Sequence, residues 1–450
     1  MSRFRQALAP LYLFACIVLG GSTQGMFRVL SLQIVGIAIL CWALLTTTPV
    51  KDSRPARMLW WIAALAIALI LAQLIPLPPA IWTHLPGRHL VVDGFHLLGQ
   101  PLPWMPWSLS PEDTIGAAMG LIPPLAMLAL IVRLGAYRDD WLVFALLFAT
   151  FISVALGVMQ VRGGGLDHYV YPNNSWGTAA GLFANVNHMA SLLLFSVPML
   201  VAVALRRWRK ETKTGDRFLT AIIAGGGALV LALGAAINHS FALLIIGAPV
   251  LGAAALQMIP AGRVRLGRLA AMLAVLFLAG SAALAVTVAS GVSTSDRTSV
   301  TIRADIWSHT ATAISDYGFA GSGIGTFSKI YPLTENPVDI ERTYVNHAHN
   351  DYLEIMLEAG VPGLALMLLF LGWWGQRAFA IWRSSESAET ARAACVASAA
   401  ILLHSLVDYP LRTAAIAACL ATALALMADP ARRRHQARAA ELRPARHLTL

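Results

Sequence analysis

The chain has 450 residues, 57% of them hydrophobic and only 12% charged, with a formal charge of +10. A soluble domain carries about 25% charged residues, and apolar runs recur here from end to end, so a soluble protein with a single anchor is excluded and an all-α polytopic membrane protein is expected. The positive charge does not point to nucleic acid, because the basic residues cluster in short gaps between apolar runs, as cytoplasmic loops do.

In chain order the apolar runs predict about twelve spans, roughly 7–22, 27–46, 58–77, 114–132, 141–160, 187–205, 218–236, 241–258, 269–290, 361–382, 393–408 and 412–428. The first, eleventh and twelfth lie near the lower limit of about 17 residues for a spanning helix. Arg3 and Arg5 followed by Leu8 to Gly20 look like a secretory signal, but no small-x-small cleavage site follows, so an uncleaved first span is expected. With the N-terminus inside, 25 of the 33 Lys and Arg residues fall in inside gaps, which predicts cytoplasmic termini. The eight left outside are Arg28, Arg88, Arg162, Arg297, Arg303, Lys329, Arg342 and Arg412. Arg28 and Arg88 are expected to cap helices or meet lipid phosphates. Cys16, Cys41, Cys395 and Cys419 all lie in apolar runs without metal-ligand spacing, and read as small core residues.

Three outside segments are long. Residues 78–113 are rich in Pro and Trp and are expected to lie at the membrane interface. Residues 161–187 are polar and turn-rich. Residues 291–360 form the largest outside segment. No period of 20–50 residues suggests a repeat. The chain is therefore expected to be a single integral membrane unit over 1–450, with an outside loop at 291–360 before the tenth span and a basic cytoplasmic tail at 429–450.

The chemistry concentrates in Val345 to Gly363, VNHAHNDYLEIMLEAGVPG. Ionisable residues at a membrane boundary are costly unless used or paired. The spacing predicts an amphipathic helix over 346–359, with His347, Asn350, Asp351, Glu354 and Glu358 lining one face at the outer surface. His349 lies off that stripe, and Gly360 to Gly363 should break the helix before the next span. Upstream, Ser299 to Tyr317 reads as a second outside helix carrying Arg303 and Trp307. The stretch GFAGSGIGTF after it lacks the Lys-Ser/Thr of a nucleotide loop and is expected to be a structural turn. Asn185, Asn187 and His188 open a span, where either asparagine can serve as a cap or contact substrate. His404, Asp408 and Arg412 sit at the outer turn between the last two spans, where an Asp408–Arg412 pair can simply satisfy itself.

Taken together these motifs resemble the O-antigen ligase and polymerase superfamily. His349-Asn350, nine residues, Gly360, two residues, Gly363 is similar to its signature. Arg303 to Trp307 resembles its Arg-x-x-(apolar)-Trp element, and the turn at Gly321 to Phe327, the entrance at Asn185 and His404 to Leu411 are similar too. The likeness covers about residues 70–425.

The resemblance implies a helical fold of the glycosyltransferase C type in a bacterial inner membrane, with the active site on the periplasmic face. It implies a donor glycan on undecaprenyl diphosphate, an acceptor hydroxyl on a lipid A core or another glycan, no cofactor, and a metal-independent reaction with inversion. Membrane lipids and other polysaccharide-assembly proteins are the expected partners, and nucleic acid is not. Arg303 is expected to clamp the leaving diphosphate, with Arg162, Arg342 and Arg412 as helpers. His349 is expected to deprotonate or position the acceptor, and Asp351 or Glu354 to share or orient that task. Asn185, Asn187, His188, His347, Asn350 and Asp408 are expected to contact substrate or support the site. A transporter or flippase is the competing class; it usually shows paired halves and polar residues near mid-membrane, whereas these gather at one face. A membrane-anchored glycan-binding protein is the third.

Overall fold

The structure is a computed structural model, describing residues 3–22, 26–46, 53–163, 166–171, 177–259, 294–335, 345–384 and 388–428. It is an all-α polytopic membrane protein, whose described β structure is one two-stranded ladder joining Pro76–Leu77 to Met105–Pro106. Among the described residues, seven helices are long and apolar enough to cross a membrane: Phe27–Leu45, Arg54–Gln73, Pro111–Arg133, Asp139–Gly163, Val186–Lys210, Thr214–Asn238 and Asp351–Arg383. Four more, Arg3–Leu19, Phe241–Leu256, Glu389–His404 and Ala414–Ala428, match expected spans but have only 15 to 17 residues. At 1.5 Å per residue they fall short of a hydrocarbon layer about 30 Å thick. The expected ninth span, 269–290, and the basic tail lie outside the described residues.

The short C-terminal helices form the centre rather than the rim. Ala414–Ala428 reads AAIAACLATALALMA, apolar all round, and all but one of its residues are buried. Alanine lets neighbouring backbones approach closely, which is how membrane helices gain packing without a hydrophobic drive between them. Cys16, Cys395 and Cys419 are buried as expected, but Cys41 is exposed, because it lies on the outward side of a peripheral helix.

The two ends of the bundle differ in charge chemistry. Val186–Lys210 and Glu389–His404 run antiparallel: Ser191 Oγ lies 2.7 Å from His404 Nδ1 at one end, and Arg209 pairs with Glu389 at 2.6 Å at the other. The Arg209 end also holds Arg206 against Asp139 and Asp140, and Arg377 donating to Met427 O. Among the described residues, His188, His347, His349 and His404 and the buried carboxylates Asp351, Glu354, Glu358 and Asp408 gather at the Ser191 end.

At that end the helix start is set by Asn350, not by residue 346. Asn350 Oδ1 accepts from Tyr352 N and Leu353 N at 3.0 and 3.1 Å, an N-cap, so His347 and His349 lie in the preceding turn. The expected break falls at Gly360, whose φ +57 and ψ −146 are non-helical; a sharp kink there separates the first helix from the one that runs on to Arg383. Pro362 offers no N–H to the carbonyl four residues earlier, Glu358 O. That carbonyl accepts from Gly323 N at 2.9 Å and from Gln73 Nε2 at 3.1 Å. Leu357 O accepts from Ser322 N at 2.9 Å, while Val361 N donates to Phe319 O at 3.0 Å. The stretch after Tyr317 is thus a structural turn that receives the backbone groups a kinked helix releases. Gly360 has φ +57, and a Cβ there would run into Phe319 O; Gly321 has φ +73, and a Cβ there would stand 2.7 Å from Glu358 O.

Arg88 neither meets lipid phosphate nor caps by its side chain. It is buried and donates to Trp107 O at 2.7 Å, Pro86 O at 3.1 Å and Gly321 O at 3.3 Å, tying the loop after Gln73 to the glycine turn. Burial lowers its guanidinium to about 10, with Tyr317 opposing.

Candidate active site

Three segments build the site. The Thr294–Tyr317 helix buries Ile306, Thr310, Ala313 and Tyr317 along one stripe, which turns Arg303 towards the bundle. The turn 345–350 brings His347 and His349, with His349 at φ +48, an unusual value for a residue other than glycine. The turn after His404 brings Asp408, Tyr409 and Arg412, ending in the 3-10 turn Pro410–Arg412.

Asp408 is the meeting point. It is fully buried, and Oδ2 lies 3.7 Å from Arg303 Nη2 while Oδ1 lies 3.4 Å from His349 Nδ1. The His349 contact is a close approach rather than a hydrogen bond, since Nδ1 has no hydrogen-bond partner. Asn187 Nδ2 donates to Oδ2, and Tyr409 N donates to Oδ1 at 2.8 Å. Asn187 is held in turn by Ser240 Oγ, which donates to its Oδ1 at 2.8 Å. Burial works against ionising Asp408, but the imidazole of His349 and the guanidinium of Arg303 outweigh it and hold the carboxyl well below the usual range.

Beside it stands a second cluster with opposite proportions. Arg412 faces three carboxylates: Glu358 Oε2 at 3.1 Å, Glu354 Oε1 at 3.2 Å and Asp351 Oδ1 at 3.7 Å. All three are at most 3% exposed. Their other contacts are also filled. His347 Nδ1 donates to Glu354 Oε1 at 2.8 Å, Ala348 N to Glu354 Oε2 at 2.9 Å, Ser405 Oγ to Asp351 Oδ2 at 2.8 Å, and Phe327 N to Glu358 Oε1 at 3.3 Å. Burial alone would weaken the Arg412 cation, but Glu354, Glu358 and Asp351 overrule it and hold its proton more tightly than usual. The carboxylate face expected at the outer surface is therefore an interior face, and Arg412 does not pair with Asp408. Pro410 is the reason: it sets a 3-10 turn that carries Arg412 away from its neighbour four residues earlier.

Tyr409 packs between the two clusters. Its ring centroid lies 4.3 Å from that of His347, 4.9 Å from His349 and 5.1 Å from His188. Burial pushes its phenol up to about 12, with Asp408 adding to the shift. His188 is buried, edge-on to Tyr409 and Phe183, and neither of its ring nitrogens has a hydrogen-bond partner. Asn185 caps Val186–Lys210, accepting from Asn187 N at 2.8 Å.

The structure thus brings Arg303, His349, Asn187, His188 and Asp408 together, and sets His347, Asn350, Asp351, Glu354 and Arg412 beside them. Arg162 is exposed at the end of Asp139–Gly163, and Arg342 lies outside the described residues. Sequence reasoning gave no role to Tyr409 or Glu358. A large ring placed between Asp408 and Pro410 was the signal for the first, and the shared helix face with Glu354 for the second. Among the described residues no group of three or more His, Cys, Asp and Glu is arranged to hold a metal ion.

Residues 174–368, which include Arg303, the glycine turn and the kinked helix as far as Leu368, match the family model described as O-antigen ligase. This match covers less than half of the chain, which is similar to that family over this stretch. No curated protein matches the chain.

Proposed function

We propose that the chain is a glycosyltransferase of the O-antigen ligase or polymerase type. It moves glycan from undecaprenyl diphosphate to an acceptor hydroxyl, on a lipid A core or another glycan, at the periplasmic face of a bacterial inner membrane. The observation that carries this reading is the convergence of Arg303 and His349 on opposite oxygens of one buried carboxylate, Asp408. The family match supports the glycosyltransferase class in general. The separation of the basic end of the bundle from the carboxylate-histidine end supports placing the reaction outside.

In this mechanism the acceptor oxygen attacks the anomeric carbon as the bond to the diphosphate breaks, with inversion. The electron pair passes to a phosphate oxygen, and Arg303 stabilises the charge that develops there. With Nδ1 facing Asp408, His349 takes the acceptor's proton on Nε2. Asp408 sets the ring and keeps the local charge balanced. Asp351 and Glu354 hold Arg412 rather than abstract a proton. The commitment of all four carboxylates to cationic partners supports guanidinium, rather than a metal, as the stabiliser.

The test uses the full chain in vesicles supplied with a lipid-diphosphate-linked glycan and acceptor. Arg303→Ala and His349→Ala should each lower product about 100- to 1000-fold with membrane insertion unchanged. Normal product from either variant removes its role, and glycan crossing the vesicle without transfer would favour a transporter. Deletion in cells then separates the two transfer reactions: single repeats on the surface mean polymerase, and accumulated full-length lipid-linked chains mean ligase.

A further inference from the structure

The segment between Gln73 and Pro111 is firmly built yet leaves one helix uncovered. Its base is fixed by the short ladder, by Trp82 Nε1 donating to Pro103 O at 2.9 Å, and by Trp107 Nε1 donating to Ala320 O at 3.0 Å. From this base projects the helix His89–Leu97, none of whose residues is buried. Its polar residues His89, Asp93 and His96 fall at i, i+4 and i+7 and form one narrow stripe. The rest of its circumference is largely apolar. Leu90, Leu97 and Leu98 are 54%, 88% and 74% exposed, and nearby Trp104 is 67% exposed.

We propose that His89–Leu97 is an interfacial anchor, lying in the boundary between headgroups and hydrocarbon on the site's side of the membrane. The occupant of its apolar face is lipid. Both ends of the segment continue into helices apolar enough to span, and the first of these exposes Leu65 and Leu71 on its way to the segment. The only residue carrying a full charge at neutral pH between 89 and 104 is Asp93, so the face suits the apolar boundary of a bilayer rather than a charged partner. An amphipathic helix with Trp beside it and its polar stripe turned to water fits this position. Arg88, at the foot of the helix, binds Gly321 O, so the depth of the anchor fixes the height of the glycine turn above the membrane. None of this depends on the transfer reaction.

Spin labels report depth directly. The full chain is placed in phosphatidylcholine vesicles in a Cys41→Ser background, the other three cysteines being buried. Labels at Leu97→Cys and Leu98→Cys should collide with oxygen more than with a water-soluble nickel chelate. Labels at Asp93→Cys and His96→Cys should show the reverse. High nickel access at all four would place the helix in water, and shielding of 97 and 98 from both reagents would mean a protein covers it; either overturns the proposal. For the link to the turn, a label at Phe319→Cys, exposed beside Gly321, should gain nickel access when Leu97→Asp and Leu98→Asp are added. No change there overturns the coupling between anchor and turn.

Discussion

Arg303 and Arg412 are both guanidinium groups at the same end of the bundle, about equally shielded, yet their surroundings assign them different work. Arg412 faces three buried carboxylates, and each of those carboxylates also accepts a hydrogen bond from Ser405, Phe327 or the 347–348 turn. Arg303 approaches one carboxylate, at 3.7 Å, and that carboxylate also faces His349. A cation already surrounded by anions has little left to give a ligand. One set 3.7 Å from an anion that also faces an imidazole is held less tightly, and is the one proposed to turn to a phosphate. Distance and the sharing of the anion, rather than residue type, separate the cation that holds the fold from the one proposed to do chemistry.

The comparison breaks most sharply at Arg412. Arg412→Ala should leave three buried carboxylates with no cation among them, costing about 3–5 kcal/mol. Thermal unfolding in detergent should show a large loss, in contrast to Arg303→Ala, which should unfold near the native temperature. Equal losses from the two variants would erase the distinction. A smaller effect is expected at Gly360, where φ +57 and the Phe319 carbonyl leave no room for a Cβ. The glycine-only backbone, with φ +57 and ψ −146, alone makes Gly360→Ala cost about 1–3 kcal/mol. Its hydrogen exchange should show loosening of both the kink and the glycine turn, while Gly372→Ala, with open space at its Cβ, should show neither. Asn350→Ala should cost about 1 kcal/mol through the lost cap, read as faster exchange at the amides of Tyr352 and Leu353.

The smallest expected effect concerns pH. The Asp408 carboxyl is held below its ordinary value, so its contribution to stability is full above the unfolded range near 3.9 and fades only in stronger acid. The difference in unfolding temperature between the native chain and Asp408→Asn should shrink well below pH 4. A difference that persists unchanged into strong acid would show that Asp408 is not the depressed group.

Much of the site was legible as a set of residues, and little of it as a set of pairs. The Gly360 to Gly363 stretch located the end of the helix, because glycine and proline act through local backbone chemistry, whereas the cap at Asn350 was missed and the start was set at 346. Arg303 and His349 were both singled out, and the carboxylate that joins them was grouped with them only as support. Arg412 was expected to pair with Asp408 at the outer turn or to help hold the diphosphate, but its carboxylate partners lie 54 residues and more away along the chain. Burial decides such choices, and burial depends on how helices pack, which periodicity does not reveal. The same gap placed the carboxylate stripe outside and Cys41 inside.

The kink at Gly360 has a practical consequence for rebuilding the molecule. Its released carbonyls are received by the loop after Tyr317, and its one redirected amide is received by Phe319. A chimera that imports either piece from a relative to change which sugar is handled inherits a lock without its key. Grafts should therefore exchange residues 318–363 as one cassette, keeping Gln73 in the recipient to meet Glu358 O and Ile324 N.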